Sequence, residues 1–395
     1  MKQQARSRAI VYAPFFPPAV NGGGPIKSLA ALVENVPPTW EALVVTSDRD
    51  LNADAPLPVT SGAWSSWRGH KTFYATTGTF SGLLRMWSAA LRSGGEVVYV
   101  NSFFDWKFSL VPQLLALCRR HSPDVLVATR GEMGAGALSR RATKKKVLIA
   151  VYKFLRLHKR VTFHASTPQE RDDIRSVLGP DVKVVVRMND TLLPKAALRT
   201  PLPPRPQVLF VGRVVPHKGL LTALEAFRSV TTRVDFRVIG PAEDSEYAAA
   251  CRTTAAELEH TVTFTGSADE HEVLDAMASS SFLVLPTAGE NFGHVVAEAL
   301  SVACPVVISE ATPWSDRLRR HGAGLVVGTR SPEAWASALN TLLESDLSLG
   351  RAREGAAAAY DEWRSVEDEH VLDLAYPGPR DAITGSTPRT RGRRR

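Results

Sequence analysis

The sequence predicts an α/β protein of two Rossmann-like, doubly wound parallel-sheet domains, and three observations lead there. Short β-rich runs alternate with helical patterns almost from end to end, the arrangement of parallel sheets covered by helices on both faces. The alternation is interrupted once, by TLLPKAALRTPLPPRPQ at residues 191–207, which is proline-rich and aperiodic, the composition of a connector. A chain of 395 residues is also too long for one core and fits two. Domains are therefore expected at 1–190 and 208–362, joined by the linker 191–207.

In the first domain a strand is expected at 8–13, followed by the loop PFFPPAVNGGGP and a helix over 25–35 with proline in its first turn. Gly22, Gly23 and Gly24 are consecutive and do not form G-x-G-x-x-G, so a dinucleotide fold of the usual oxidoreductase kind is only weakly supported. They read equally well as a close approach of backbone to phosphate or sugar and as a simple turn. A second strand at 42–46 runs into Asp48 and Asp50, a D-x-D. Such a pair can hold a divalent metal between phosphates, but loop aspartates are far more often turn formers.

Strands follow at 71–75, 96–100 and 124–128, with helices near 80–92 and 107–120. Arg140 to Arg160 carries nine lysines or arginines and no acid, and Val147, Leu148, Val151, Phe154 and Leu155 share one helical face within it. That face either lies on an anionic membrane surface or packs on the sheet. A strand at 161–164 ends in His164, a general base or a structural histidine. Thr167-Pro168-Gln169-Glu170 then has capping-box spacing and opens a helix to about 178, ahead of a strand at 182–186.

The second series has strands at 208–211, 235–239, 262–264, 281–285, 305–308 and near 324–327. Helices are expected at 220–230, 246–259, 269–279, from 293 onward, near 332–343 and at 351–360. Its centre is PTAGENFGHVVAEALSVAC, residues 286–304, where an apolar strand passes through an acidic and glycine-containing turn into a helix. A helix mouth of this kind leaves backbone N–H groups and partial positive charge for an anion. Glu290 and Glu298 bracket the turn, and their carboxylates can accept from sugar hydroxyls. Arg213 and Lys218, in the loop after the first strand of this series, project from the same sheet edge and suit a diphosphate. Ligands of such sheets sit beyond the carboxyl ends of the strands.

Charge and cysteines bound the remaining possibilities. The two ends, 377–395 with six arginines and one aspartate and 1–8 with three cations, account for the net +8. The interior is neutral, and the basic ends lack interleaved aromatics, which argues against nucleic acid as partner. Cys118, Cys251 and Cys304 are widely spaced in apolar, helix-like contexts, without a zinc or disulfide pattern, and read as buried small residues in a reducing compartment. No run of about eighteen apolar residues exists, and the proline-broken N-terminal apolar stretch has no secretory cleavage pattern. A cytoplasmic protein is expected, with peripheral contact at the inner membrane face through the basic helix as its membrane option.

The ordered set GRVVPHKGLLTALEAF (212–227), VIGP (238–241), FTG (264–266) and PTAGENFGHVVAEALSVACPVV (286–307), with the 21–24 glycine loop and HASTPQE, resembles the retaining, nucleotide-sugar-dependent glycosyltransferases of family 4 (GT4). That resemblance implies the GT-B architecture, two Rossmann-like domains facing across a cleft. It implies that Arg213 and Lys218 hold the donor diphosphate and that Glu290 contacts the transferred sugar. It assigns the Asn291, Phe292 and Gly293 backbone to sugar and phosphate, and Glu298 to the ribose. Gly22 and Gly23 would let the first-domain loop close over the donor, and Gly212 and Gly266 belong to the same donor-binding set. No metal or other cofactor is implied. Thr129-Arg130-Gly131-Glu132 stands where many relatives carry a histidine, which makes Arg130 and Glu132 acceptor-side candidates. Residues 363–376 resemble the family's last helix, which returns to the first domain, and the basic tail 377–395 is expected to be disordered.

The implied function is transfer of a sugar from a nucleoside diphosphate sugar to a glycan or lipid-linked glycan acceptor in polysaccharide or glycoconjugate assembly. The alternatives are another GT-B enzyme, a phosphorylase or sugar-nucleotide epimerase, and a non-catalytic nucleotide-sugar-binding subunit.

Overall fold

In the computed structural model, which describes residues 6–139, 142–366 and 369–376, strands whose side chains are buried on both sides form the middle of each of two sheets. Along the first strand, Ile10 and Tyr12 enter the core on one face while Ala9 and Val11 enter the core on the other. A strand covered on both faces has to be apolar at consecutive positions, which is why these segments read as unbroken hydrophobic runs.

The described residues fall into two units. One extends to Thr191 and resumes at residue 369; the other begins at Leu192 and ends at residue 366. The first is built, in chain order, from β1 (Ser7–Tyr12), α1 (Gly24–Glu34), β2 (Trp40–Ser47), β3 (Trp64–Trp67), β4 (His70–Ala75), α2 (Phe80–Ser93) and β5 (Val97–Asn101). It continues through α3 (Val111–Leu117), β6 (Asp124–Ala128), α4 (Ala135–Ser139), α5 (Ala142–Phe154), β7 (Thr162–Ala165), α6 (Pro168–Leu178) and β8 (Lys183–Val186). Its sheet runs β3-β4-β2-β1-β5-β6-β7-β8, parallel except for the antiparallel edge strand β3. The order reverses between β1 and β5, the switch point of a doubly wound sheet.

The second unit comprises β9 (Gln207–Val211), α7 (Leu220–Phe227), β10 (Asp235–Ile239), α8 (Ser245–Ala256), β11 (Thr261–Gly266), α9 (Glu270–Ala278), β12 (Phe282–Leu285) and α10 (His294–Ser301). It is completed by β13 (Val306–Ser309), α11 (Ser315–His321), β14 (Gly324–Val327), α12 (Pro332–Leu343) and α13 (Asp346–Ser365). Its sheet, β11-β10-β9-β12-β13-β14, is wholly parallel and switches between β9 and β12.

Several segments differ from the sequence reading. The expected helix over 107–120 begins as a wide turn, Trp106–Leu110, whose entry Asp105 fixes by accepting from the Lys107 and Phe108 N–H groups at 2.8 and 2.9 Å. Residues 192–207 are strapped to the second unit: Leu198 N–H donates to Ser301 O at 2.7 Å, and Ala197 N–H donates to Asp361 at 2.7 Å. The buried Arg353 donates to the carbonyls of Thr200 and Ala278 at 2.7 Å and of Ser280 at 3.0 Å. The last-helix segment 363–376 is two pieces. Trp363 lies in α13, whereas α14 (Val371–Ala375) packs Val371 and Leu372 into the core of the first unit, where Trp40 donates to Asp373 at 2.7 Å. The tail from residue 377, with Arg140 and Arg141, lies outside the described residues.

Candidate active site

Two loops at the switch point of the second sheet carry most of the residues singled out from the sequence. The loop after β9 turns through Pro216–Lys218 into α7, and the loop after β12 turns through residues 286–293 into α10. Parallel strands side by side deliver both loops to the same sheet edge, so residues 72 positions apart in the chain become neighbours. The loops are stitched directly: Ala288 N–H and Thr287 Oγ1 both donate to His217 O, at 2.7 and 3.3 Å, while Ser309 Oγ at the end of β13 holds the Thr287 carbonyl at 2.6 Å. Gly219, at φ +76°, caps α7 where a Cβ would sit 2.0 Å from Pro286 O, so only glycine lets the two backbones meet.

Across this junction Lys218 Nζ donates to Glu290 Oε1 at 2.5 Å, with only 17% and 12% of the two side chains exposed. Glu290 is itself fixed by its N–H, which donates to Ala311 O at 3.0 Å. Sequence placed both residues at one edge; the structure makes them partners. Arg213 is not in that pair. Its guanidinium reaches Glu243 at 2.9 Å, both side chains about two-fifths exposed, and an ion pair so open to water contributes little stability.

Gly293 caps the first turn of α10 at φ +79°. The N–H groups of a first helical turn have no partner within the helix, and the macrodipole adds partial positive charge there. Asn291 is half-buried. The Phe292 ring is buried against Trp314 and Trp363, and its carbonyl accepts from Trp314 Nε1 at 2.6 Å, so what Phe292 can offer a ligand is its N–H. Glu298 lies in the second turn of α10, only 6% exposed. Gly212 N–H donates to Ile239 O at 2.9 Å, and Gly240 N–H to Gly266 O at 2.8 Å, which ties the loops after β9, β10 and β11 into one rim.

In the first unit the glycine loop also stands at a switch point. Gly23, at φ +62°, caps α1 beside Gly22. Asp50 anchors this loop, accepting from Val20 N–H at 2.9 Å and Asn21 N–H at 3.1 Å, a role the D-x-D pattern did not reveal. Asp48 accepts from Thr76 Oγ1 at 2.8 Å. Among the described residues no group of three or more His, Cys, Asp or Glu side chains is arranged to hold a metal ion.

Arg130 and Glu132 are held by the protein itself. Arg130, in the left-handed region at φ +51°, donates to Asn101 Oδ1 at 2.6 Å, to Tyr99 Oη at 2.9 Å and to Asn189 Oδ1. Glu132 accepts from Ser102 Oγ at 2.8 Å and from the N–H groups of Phe103 and Phe104 at 2.6 and 3.3 Å, fixing the loop after β5. Burial pushes its carboxyl above the ordinary range against those bonds. His164 is buried with its Nδ1 2.9 Å from Tyr99 Oη and its Nε2 2.9 Å from Arg187 O; burial first, and Arg130 second, push it down to about 3. It is a structural histidine. No signal in the sequence pointed to Tyr99 or Asn101, which complete this network.

Residues 199–359 match the family model of the glycosyl transferases group 1. The D-inositol 3-phosphate glycosyltransferase of Corynebacterium glutamicum (strain R) is 29% identical over 187 residues, 45% of this chain and 45% of that one. The GDP-mannose:cellobiosyl-diphosphopolyprenol alpha-mannosyltransferase of Komagataeibacter xylinus is 27% identical over 221 residues, 50% of this chain and 53% of its own length. The chain thus spans about half the length of these curated relatives. In three dimensions it is similar to the sucrose-phosphate synthase of Thermosynechococcus elongatus with a TM-score of 0.69 at 20% identity, covering 91% of this chain and 96% of that one, a likeness of fold.

Proposed function

We propose that this chain, whose residues 199–359 form a group 1 glycosyl transferase domain, moves a sugar from a nucleoside diphosphate sugar to a glycan or lipid-linked glycan acceptor, with retention of configuration, in polysaccharide or glycoconjugate assembly. The observation that carries the proposal is the Lys218–Glu290 pair at the sheet's switch point, beside the N-terminus of α10.

The bond to be broken joins the sugar's anomeric carbon to a diphosphate oxygen, and its electron pair leaves with the diphosphate. Positive groups placed where that charge grows lower the barrier. Lys218 and the first-turn N–H groups of α10 would meet it, with Arg213 as a second cation once it leaves its exposed partner Glu243. When Lys218 turns to phosphate, Glu290 is freed to accept from hydroxyls of the transferred sugar. Glu298 is assigned to the ribose by the family resemblance. The acceptor hydroxyl attacks from the face the diphosphate departs, forms the new C–O bond and gives its proton to the departing diphosphate. Same-face attack retains the configuration.

The acceptor is assigned to the first unit, where Arg130 and Glu132 act as positioning residues for the loops at its switch point. A lipid-linked acceptor is supported by the K. xylinus relative, whose name specifies a diphosphopolyprenol. The charge set on the protein supports a reaction that needs no metal. The cysteines are free, Cys251 and Cys304 buried as expected and Cys118 exposed against expectation; free thiols support a reducing compartment, and we place the enzyme in the cytoplasm. No helix among the described residues is long and apolar enough to cross a membrane.

The test is incubation with a panel of nucleoside diphosphate sugars and glycan acceptors, with and without a chelator. Release of nucleoside diphosphate, undiminished by the chelator, and a product whose anomeric proton keeps the donor's coupling are expected. No release from any donor would reject the transferase reading, and an inverted product would reject retention.

A further inference from the structure

Helix α5 turns its apolar stripe away from the protein. Tyr152, 1% exposed, is the residue that enters the core: its ring lies 4.8 Å from that of Phe103 and its hydroxyl donates to Gln113 Oε1 at 2.6 Å. Ile149 packs beside it. On the outer side Val147, Val151, Phe154 and Leu155 are 59%, 44%, 86% and 48% exposed. Their spacing of four, three and one places them on one face of the helix and its end.

The surroundings of that stripe are cationic. Lys144, Lys146, Lys153, Arg156, Lys159 and Arg160 are exposed, and no acid occurs between Met133 and Gln169. Lys145 is engaged elsewhere, over the Phe104 ring and on Ala137 O at 2.7 Å, and two of the exposed cations also reach carbonyls, Lys153 on Val177 O at 3.2 Å and Arg160 on Leu117 O at 3.1 Å. A contiguous exposed apolar patch rimmed by like charge marks a surface that something covers.

We infer that α5 is a docking surface for an anionic lipid bilayer, lying in the interface plane with Val147, Val151, Phe154 and Leu155 among the acyl chains and its cations at the head groups. Charge selects this occupant. The chain's own terminal segments are basic, with six arginines against one aspartate at 377–395, and are repelled by the lysine rim. A second copy of the face would set lysines against lysines. An anionic bilayer supplies the apolar depth and the negative charge together, and an amphipathic helix with cations on its polar side is what such an interface binds. The docking does not rest on the transferase reading, because it is measured without donor or acceptor.

The experiment is co-sedimentation of the full chain with vesicles of phosphatidylcholine alone and of phosphatidylcholine mixed with phosphatidylglycerol, at low and high salt. Wild type should pellet with the mixed vesicles only, and high salt should weaken the binding. Phe154→Ser combined with Val151→Ser, and separately Lys146→Gln combined with Lys153→Gln, should each lower the partition coefficient on the order of tenfold. All four side chains are exposed, so melting temperatures should hold, and circular dichroism checks that. Equal pelleting with both vesicle types, no pelleting at all, or undiminished binding of both double variants overturns the inference. So does a dimer of wild type that the serine variant abolishes, which would give the face to a second copy.

Discussion

Lys218 Nζ lies 2.5 Å from Glu290 Oε1, so without a ligand the cation that would meet a diphosphate is already occupied by the carboxylate that would meet the sugar. Opposite effects on binding and on turnover follow. Glu290→Gln removes the competitor for Lys218, and affinity for a free nucleoside diphosphate should rise severalfold while transfer falls on the order of a hundredfold. Lys218→Ala should weaken nucleoside diphosphate binding by about ten- to a hundredfold. Calorimetric titration with UDP and GDP beside a transfer assay reads both. Weaker nucleoside diphosphate binding in Glu290→Gln would contradict the competition.

Gly219 and Gly23 both have positive φ, +76° and +62°, but they differ in their surroundings. A Cβ on Gly219 meets Pro286 O at 2.0 Å, whereas one on Gly23 meets nothing within 4 Å. Gly23→Ala should therefore cost only the backbone strain of a side chain at φ +62°, ψ −131°, about 1–3 kcal/mol. Gly219→Ala adds the clash between the two site loops and should cost at least about 3 kcal/mol. Denaturant titration of both variants tests the ranking, and equal costs would mean the loops can part freely.

Asp50 accepts two loop N–H groups, those of Val20 and Asn21, besides its neighbour Leu51. Hydrogen bonds to a charged acceptor contribute about 1.5–3 kcal/mol each. Asp50→Ala should release the glycine loop, seen as faster hydrogen exchange across residues 18–24 with exchange in β1 and β2 unchanged. Unaltered exchange in the loop would show that the anchor lies elsewhere.

The two parallel sheets and both switch-point loops were legible because strand and helix periods are local and because glycine, proline and charge collect where strands end. Partners across loops were not. Nothing in the sequence around Lys218 names Glu290, since their meeting depends on β9 and β12 lying side by side. The capping box at Thr167 was half right: its hydroxyl does cap the Glu170 N–H at 3.1 Å. The Glu170 carboxylate, however, accepts at 2.6–2.7 Å from Thr129 Oγ1 and Gly131 N–H, which the end of the neighbouring strand β6 supplies, and from Ser166 N–H just ahead of the cap. The α5 pattern gave the period but not the side that packs, because Tyr152 and Ile149 compete with the valine stripe for the core. Edge strand β3 escaped because four residues, two of them serine, carry too little alternation to read.

Around His164 the direction of every proton is set, and this fixes a pH dependence of stability. Arg187 O can only accept, so Nε2 of His164 carries the proton; Nδ1 then accepts from Tyr99 Oη, whose oxygen accepts from Arg130 Nη2. A second proton on the ring has no acceptor left, and with burial and the nearby Arg130 charge the pKa falls to about 3, against about 6.5 in the unfolded chain. Between those values the unfolded chain binds a proton the folded one does not. Stability that is full above pH 6.5 is thus lost progressively as the pH falls toward 3. At pH 5 this one residue should cost roughly 2 kcal/mol. Urea titrations at pH 7.5 and pH 5 should show that loss in wild type and a smaller one in His164→Gln, while His158 and His370, also shifted downward, contribute equally to both. The same loss in both proteins would place the acid sensitivity outside this network.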